Sequence, residues 1–272
     1  MLGDARTSGY APVNGLRLYY ESSGAGEPLI VLHGGLGSTE MFAPLLPELT
    51  TRHRVIAVDL QGHGRTADID RPLRYETMGD DIAALIADLG LGQADLLGYS
   101  LGGGVAMRTA IQHPAIVRKL VVVSTAFARD GWYPEVRTGM AQVSAALAEQ
   151  FKRSPVYAAY SRIAPRPEDF PAVLDKMGAM LAREYNWSAE VAAITAPTML
   201  VFGDADSIRP AHMVEFFGLL GGGTRDGGWD RSGMSNARLA ILPGETHYSV
   251  LRSPVIGSVV LPFLDAPLPE GS

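Results

Sequence analysis

Short runs rich in apolar and β-branched residues alternate with amphipathic stretches along most of this chain, and that rhythm restricts the fold more than any other feature. Runs at 16–21, 28–32, 54–59, 94–99, 120–124, 198–203 and 238–243 read as strands. The stretch 75–89 between two of them places Met78, Ile82, Leu85, Ile86 and Leu89 at three-to-four spacing, one face of a helix. Residues 101–113 form a second helical pattern, stopped by Pro114. Residues 210–220 form a third, with Pro210 suited to the first turn. Strands that alternate with helices pair in parallel and bury both faces of the sheet. The 272 residues suffice for one large α/β domain, or for such a domain carrying an insertion.

The rhythm fails once. Between 124 and 198 no run reads convincingly as a strand, and Pro134, Pro155, Pro165, Pro167 and Pro171 punctuate helical patterns. A structureless loop of that length is improbable in a compact domain. Residues 127–190 are therefore expected to form a helical cap, inserted into a core made of 1–126 and 191–272.

Composition excludes several functions. Lys and Arg number 23 against 29 Asp and Glu, for a net charge of −6, so no basic excess is available to neutralise phosphates and nucleic acid is not an expected partner. The chain has no cysteine, which removes disulfides, thiolate catalysis and Cys-ligated metals. No run approaches the roughly 20 apolar residues of a membrane helix. Residues 1–6 lack a basic patch followed by an apolar stretch, so no signal peptide is expected and a cytoplasmic location is the default.

Gly98-Tyr99-Ser100-Leu101-Gly102 has the form G-x-S-x-G, follows an apolar run and opens a helical one. A turn that tight leaves no space for side chains at 98 and 102, and it exposes the hydroxyl of Ser100. His33-Gly34-Gly35-Leu36-Gly37 follows the buried run 28–32. Acyl transfer builds negative charge on a carbonyl oxygen, and a glycine-rich turn lets backbone N–H groups approach it. The N–H groups of Leu101 and Gly35 are the expected oxyanion donors, with Leu36 second to Gly35. No Gly-Lys-Ser/Thr follows, so a phosphate loop is disfavoured.

A serine nucleophile needs a base, and six histidines are available. His33 is tied to its loop and reads as a structural hydrogen-bonder. His53, between Arg52 and Arg54, reads as solvated. His63 lies in a Gly-His-Gly turn, His113 ends a helix and His212 sits in a helix's first turn. His247 follows the last strand, at the sheet edge where binding residues collect, and is the expected general base. The penultimate strand ends in Asp204 and Asp206, either of which could orient the imidazole or cap the next helix. The strand ending Val122-Val123-Ser124-Thr125 supplies no carboxylate.

Together these features resemble the α/β-hydrolase fold superfamily, in its serine esterase and non-haem haloperoxidase-like group. The resemblance rests on His33-Gly34-Gly35, Asp59-Leu60-Gln61-Gly62-His63-Gly64, the turn at Ser100, and Gly203-Asp204-Ala205-Asp206 ahead of His247. It implies a mostly parallel central sheet flanked by helices, with the helical cap inserted after the sixth strand. It also makes Asp206, the last residue of G-x-x-D, the catalytic acid, with Asp204 as the fallback. Serine at the turn departs from the branches that attack through a carboxylate.

The expected function is hydrolysis of a carboxylic ester of a small or medium apolar molecule by Ser100, His247 and Asp206, without metal or organic cofactor. Leu36, Trp132, Tyr157 and Tyr160 are expected to line the substrate pocket, although cap aromatics can equally form the cap's own core. Lactonase, carbon–carbon bond hydrolase, perhydrolase and ligand-binding receptor use the same arrangement, and monomer and homo-oligomer fit these residues equally. The glycine-rich stretch 218–233 is expected at the opposite sheet edge, in a surface or subunit-contact role.

Overall fold

The structure, a computed structural model, describes residues 6–269; residues 1–5, read above for a leader, lie outside it. Its strands are β1 (Thr7–Val13), β2 (Leu16–Ser23), β3 (Glu27–Leu32), β4 (His53–Val58), β5 (Ala94–Tyr99), β6 (Val117–Val123), β7 (Thr198–Ala205) and β8 (Ala237–Thr246). They form an eight-stranded sheet in the order β1-β2-β4-β3-β5-β6-β7-β8. Pairings from β4 through β3 to β8 are parallel, and β2 joins β1 and β4 antiparallel. Every residue of β5 is buried, as a central parallel strand requires.

Strand β1 is absent from the sequence expectations. It is an edge strand, half exposed, and carries Gly9 and Pro12, so it lacks the apolar run that marks a buried strand. Asn14 and Gly15, at φ 48° and 83°, form the two-residue turn to β2. Left-handed values at both central positions match the right-handed twist of the hairpin.

The helices are α1 (Leu46–Leu49), α2 (Tyr75–Asp88), α3 (Leu101–Gln112), α4 (Pro134–Ala141), α5 (Ala148–Phe151), α6 (Pro155–Ile163), α7 (Phe170–Leu181), α8 (Ser188–Ala192), α9 (Pro210–Leu219) and α10 (Ile256–Asp265). On one face of the sheet, Met78, Ile82, Leu85 and Ile86 of α2 and Val105, Ala106 and Met107 of α3 share one buried cluster with Ile30, Leu96 and Val122. On the other face, Leu49 of α1 and Val260 and Leu264 of α10 cluster with Leu29, Val31 and Val121. Alternation along each strand thus feeds two cores.

Helices α4 to α8 fill the interval between β6 and β7. The ends of this helical segment are pinned together. Trp187 N–H donates to Phe127 O at 3.0 Å, and Arg129 N–H donates to Tyr185 O at 3.0 Å.

A buried cation braces the frame. Lys119 on β6 is 2% exposed, and its ammonium donates to the carbonyls of Phe263 (3.2 Å), Leu264 and Ala266 at the end of α10. Those carbonyls have no partner within the helix, so the ammonium replaces the water they would otherwise bind. His53 corrects the expectation of a solvated ring: it is buried, with Nε2 3.3 Å from Asp265 Oδ1 at the same helix end.

Three other buried histidines brace loops. His33 donates Nδ1–H to Gly34 O at 2.7 Å and accepts the Leu60 N–H at Nε2 at 3.0 Å. The second bond requires the neutral ring. His63 contacts Gln61 O through Nδ1 at 2.8 Å. His212 stacks on Phe127 at 3.9 Å and accepts the Phe127 N–H. Burial lowers all three from 6.5 to about 4.

Replacing Lys119 by Met is expected to destabilise the fold by roughly 1–3 kcal/mol, because the last carbonyls of α10 lose charged donors. Urea unfolding measures it, and an unchanged midpoint would contradict the bracing role. The histidines give a pH dependence. They protonate near 6.5 when unfolded and only near 4 when folded, so the stability they confer is complete above about 6.5 and is lost as pH falls toward 4. Buried Asp59, Asp81 and Asp95, whose carboxyls burial raises, work in the opposite sense. His212→Gln should therefore lose less melting temperature than the parent between pH 7.5 and about 5, by roughly 1–2 kcal/mol of stability. An equal loss in both proteins would contradict this.

Candidate active site

Ser100 lies between the end of β5 and the start of α3, at φ 52° and ψ −115°. A side chain there pays for a left-handed backbone, so the turn must be held from outside. The Ser100 N–H donates to Val123 O at 2.9 Å, and Thr125 Oγ1–H donates to Ser100 O at 2.9 Å. A Cβ on Gly98 would stand 2.2 Å from Gly102 O, and one on Gly102 would stand 2.2 Å from Leu32 O. Glycine at both positions is a steric requirement of this turn.

The turn after β3 packs against it. Gly102 N–H donates to His33 O at 3.0 Å, and a Cβ on Gly34 would strike the Tyr99 ring at 2.7 Å. Gly37 N–H donates to Gly34 O at 3.1 Å, closing a four-residue turn whose own bond does not use the N–H groups of Gly35 and Leu36. Leu36 sits at φ 55°, where such turns prefer glycine. Asp59 secures the base of this loop by accepting from Thr39 N–H (2.7 Å) and Arg65 N–H (2.8 Å).

His247, in the segment after β8, reaches back over this corner. Its Nε2 is 3.0 Å from Ser100 Oγ, and its Nδ1 is 3.1 Å from Asp206 Oδ1. Tyr99 Oη–H donates to His247 O at 2.7 Å and holds the segment down. Asp206 is buried at the end of β7. Its Oδ1 also accepts the Ile208 N–H, and its Oδ2 accepts the Gly203 N–H and the Ser124 hydroxyl. Burial alone would raise this carboxyl, but the bonds from His247, Ser124 and Gly203 outweigh it and hold the group below its ordinary value.

Asp204 is exposed, and its carboxylate accepts the Gly244 N–H at 2.9 Å, shaping the loop within β8. Of the two aspartates, only Asp206 meets His247. His113 pairs with Asp80 at 2.8 Å, away from this corner. Ser124 was missed by the sequence reading, which searched that strand end for a carboxylate and not for a hydroxyl.

A cavity of about 640 Å³ opens over Ser100 and His247. Leu36 and Trp132 belong to its wall, with Met41, Met140, Met177 and Met180. Tyr157 and Tyr160 do not. They pack on Phe170 at 5.0 and 4.9 Å, in the aromatic core of the helical segment itself, which corrects the expectation that they face substrate. Glu135 is the one charged residue in the wall among those described. None of residues 218–233 lines it.

A family model described as the alpha/beta hydrolase fold matches residues 27–211. The AB hydrolase superfamily protein YisY of Bacillus subtilis (strain 168) is 32% identical over 71% of this chain and 79% of its own. The sn-1-specific diacylglycerol lipase ABHD11 of Danio rerio is 36% identical, over 42% of this chain and only 36% of its own length. Among solved structures, the carboxylesterase CesB (YbfK) of Bacillus subtilis superposes with a TM-score of 0.72 at 21% identity, covering 97% of this chain and 93% of the other. At that identity the superposition speaks for the fold alone. The family model and the YisY match go further: the chain belongs to the α/β-hydrolase fold family.

Proposed function

We propose that the chain is a serine hydrolase that cleaves carboxylic esters of small to medium apolar molecules through an acyl-enzyme. The observation that carries this reading is one imidazole within hydrogen-bond reach of both Ser100 Oγ (3.0 Å) and Asp206 Oδ1 (3.1 Å), under a largely apolar cavity. Nδ1 beside a carboxylate is the donor, which leaves the Nε2 lone pair for the serine proton. Ser100 Oγ attacks the ester carbonyl carbon as its proton passes to His247. The N–H groups of Leu101 and Gly35 receive the oxyanion, with Leu36 the alternative to Gly35. Collapse expels the alcohol, which takes the proton from His247. Water, deprotonated by the same imidazole, then releases the acid and frees Ser100.

Residues 127–190 act here as a cap that supplies the cavity's upper wall. Its methionines Met140, Met177 and Met180, with Met41 of the core, are flexible and apolar, which suits acyl chains of varied shape better than one rigid substrate. The expected partner is a neutral small-molecule ester, and these steps call on no cofactor.

A panel of p-nitrophenyl acetate and butyrate, aliphatic esters, lactones and β-diketones of graded size tests the proposal beside Ser100→Ala. Apolar esters are expected to turn over fastest, and Ser100→Ala to lose roughly 10³-fold or more of kcat. Tight binding of an ester analogue without turnover would replace the enzyme by a receptor. Preference for lactones or diketones would replace the ester by that bond type.

A further inference from the structure

Ser124 follows the end of β6, at a corner where the chain pays for a side chain. It is 0% exposed and sits at φ 51°, a left-handed conformation that favours glycine. Its N–H is spent on Val201 O at 2.9 Å. Its hydroxyl has one described partner, Asp206 Oδ2, at 2.5 Å.

The geometry of that carboxylate gives the contact a consequence. Asp206 Oδ1 faces His247 Nδ1 at 3.1 Å, while Oδ2 points the other way, to Ser124 and to the Gly203 N–H at 3.1 Å. A carboxylate turns readily about its terminal bond, because such torsions are broad and two-fold. Two donors on Oδ2 from different strands fix that rotation, and the hydroxyl is the shorter contact. Without it, the carboxylate is held only by two longer backbone contacts, the Gly203 N–H on Oδ2 at 3.1 Å and the Ile208 N–H on Oδ1 at 3.3 Å, and Oδ1 can swing off the imidazole more easily.

We propose that Ser124 is a positioning residue: its hydroxyl, arriving from β6, locks the Asp206 carboxylate in the rotamer that presents Oδ1 to His247. The proposal deepens the triad reading above and rests on it. Ser124 touches neither substrate nor the reacting atoms; it acts only through Asp206.

Ser124→Gly removes the hydroxyl and suits the left-handed backbone, so folding and catalysis separate. With p-nitrophenyl butyrate, Ser124→Gly is expected to lower kcat roughly 5- to 50-fold, leave KM within about twofold, and leave the melting temperature equal or higher. In an Asp206→Ala background the same change should alter kcat by less than about twofold, since the group it positions is gone. Ser124→Ala should show the same fall in kcat with a lower melting temperature. An unchanged kcat in Ser124→Gly, or an equal fold-loss in both backgrounds, overturns the positioning role while leaving the triad intact. Full activity of Asp206→Ala itself would instead bring down the assignment of the acid, and Ser124 with it.

Discussion

The backbone at Ser100 is crowded to the limit of what a polypeptide allows. Gly98 and Gly102 face carbonyl oxygens at distances no Cβ tolerates, and the serine between them is held left-handed by bonds from β6 and Thr125. Everything chemical in the molecule follows from that crowding. It lifts one hydroxyl out of the sheet edge, starts α3 directly behind it, and brings the loop after β3 into contact through Gly34 and Gly102. A helix N-terminus and a turn with free central N–H groups then flank the same small volume. A larger residue at 98 or 102 would have to reshape this corner before it could fold.

The sheet order turns this local strain into a site. Strands β5, β6 and β7 are neighbours, so the ends that carry Ser100, Ser124 and Asp206 lie side by side. β8 closes the row and delivers His247 over it. Binding groups collect at the carboxyl ends of parallel strands because all the connections leaving the strands begin there. The helical segment α4 to α8 leaves from the same edge, and its pinned ends hold it above the corner.

Much of this was legible in the residues. Buried parallel strands are continuous apolar runs, and G-x-S-x-G between a strand and a helix carries its own steric explanation. His247 stood out by position in the chain. The rest depended on contacts the chain does not advertise. Asp204 and Asp206 are equally plausible on paper, and the resemblance chose the one that the fold brings to His247. Strand β1 escaped because an edge strand needs only half an apolar face. His53 looked solvated between two arginines, yet β4 carries it under α10. Tyr157 and Tyr160 were read as pocket walls, but aromatic residues on short helices satisfy one another first, around Phe170. Ser124 was invisible because a serine ending a strand is ordinary until its partner is known.

The central claim is that His247 makes the Ser100 hydroxyl nucleophilic. Incubation with a fluorophosphonate probe, followed by digestion and mass spectrometry, tests it without any assumption about the natural substrate. The account predicts a single covalent adduct on the peptide carrying Ser100, lost in His247→Ala. No adduct on Ser100 from folded protein, or labelling that His247→Ala leaves undiminished, would contradict it.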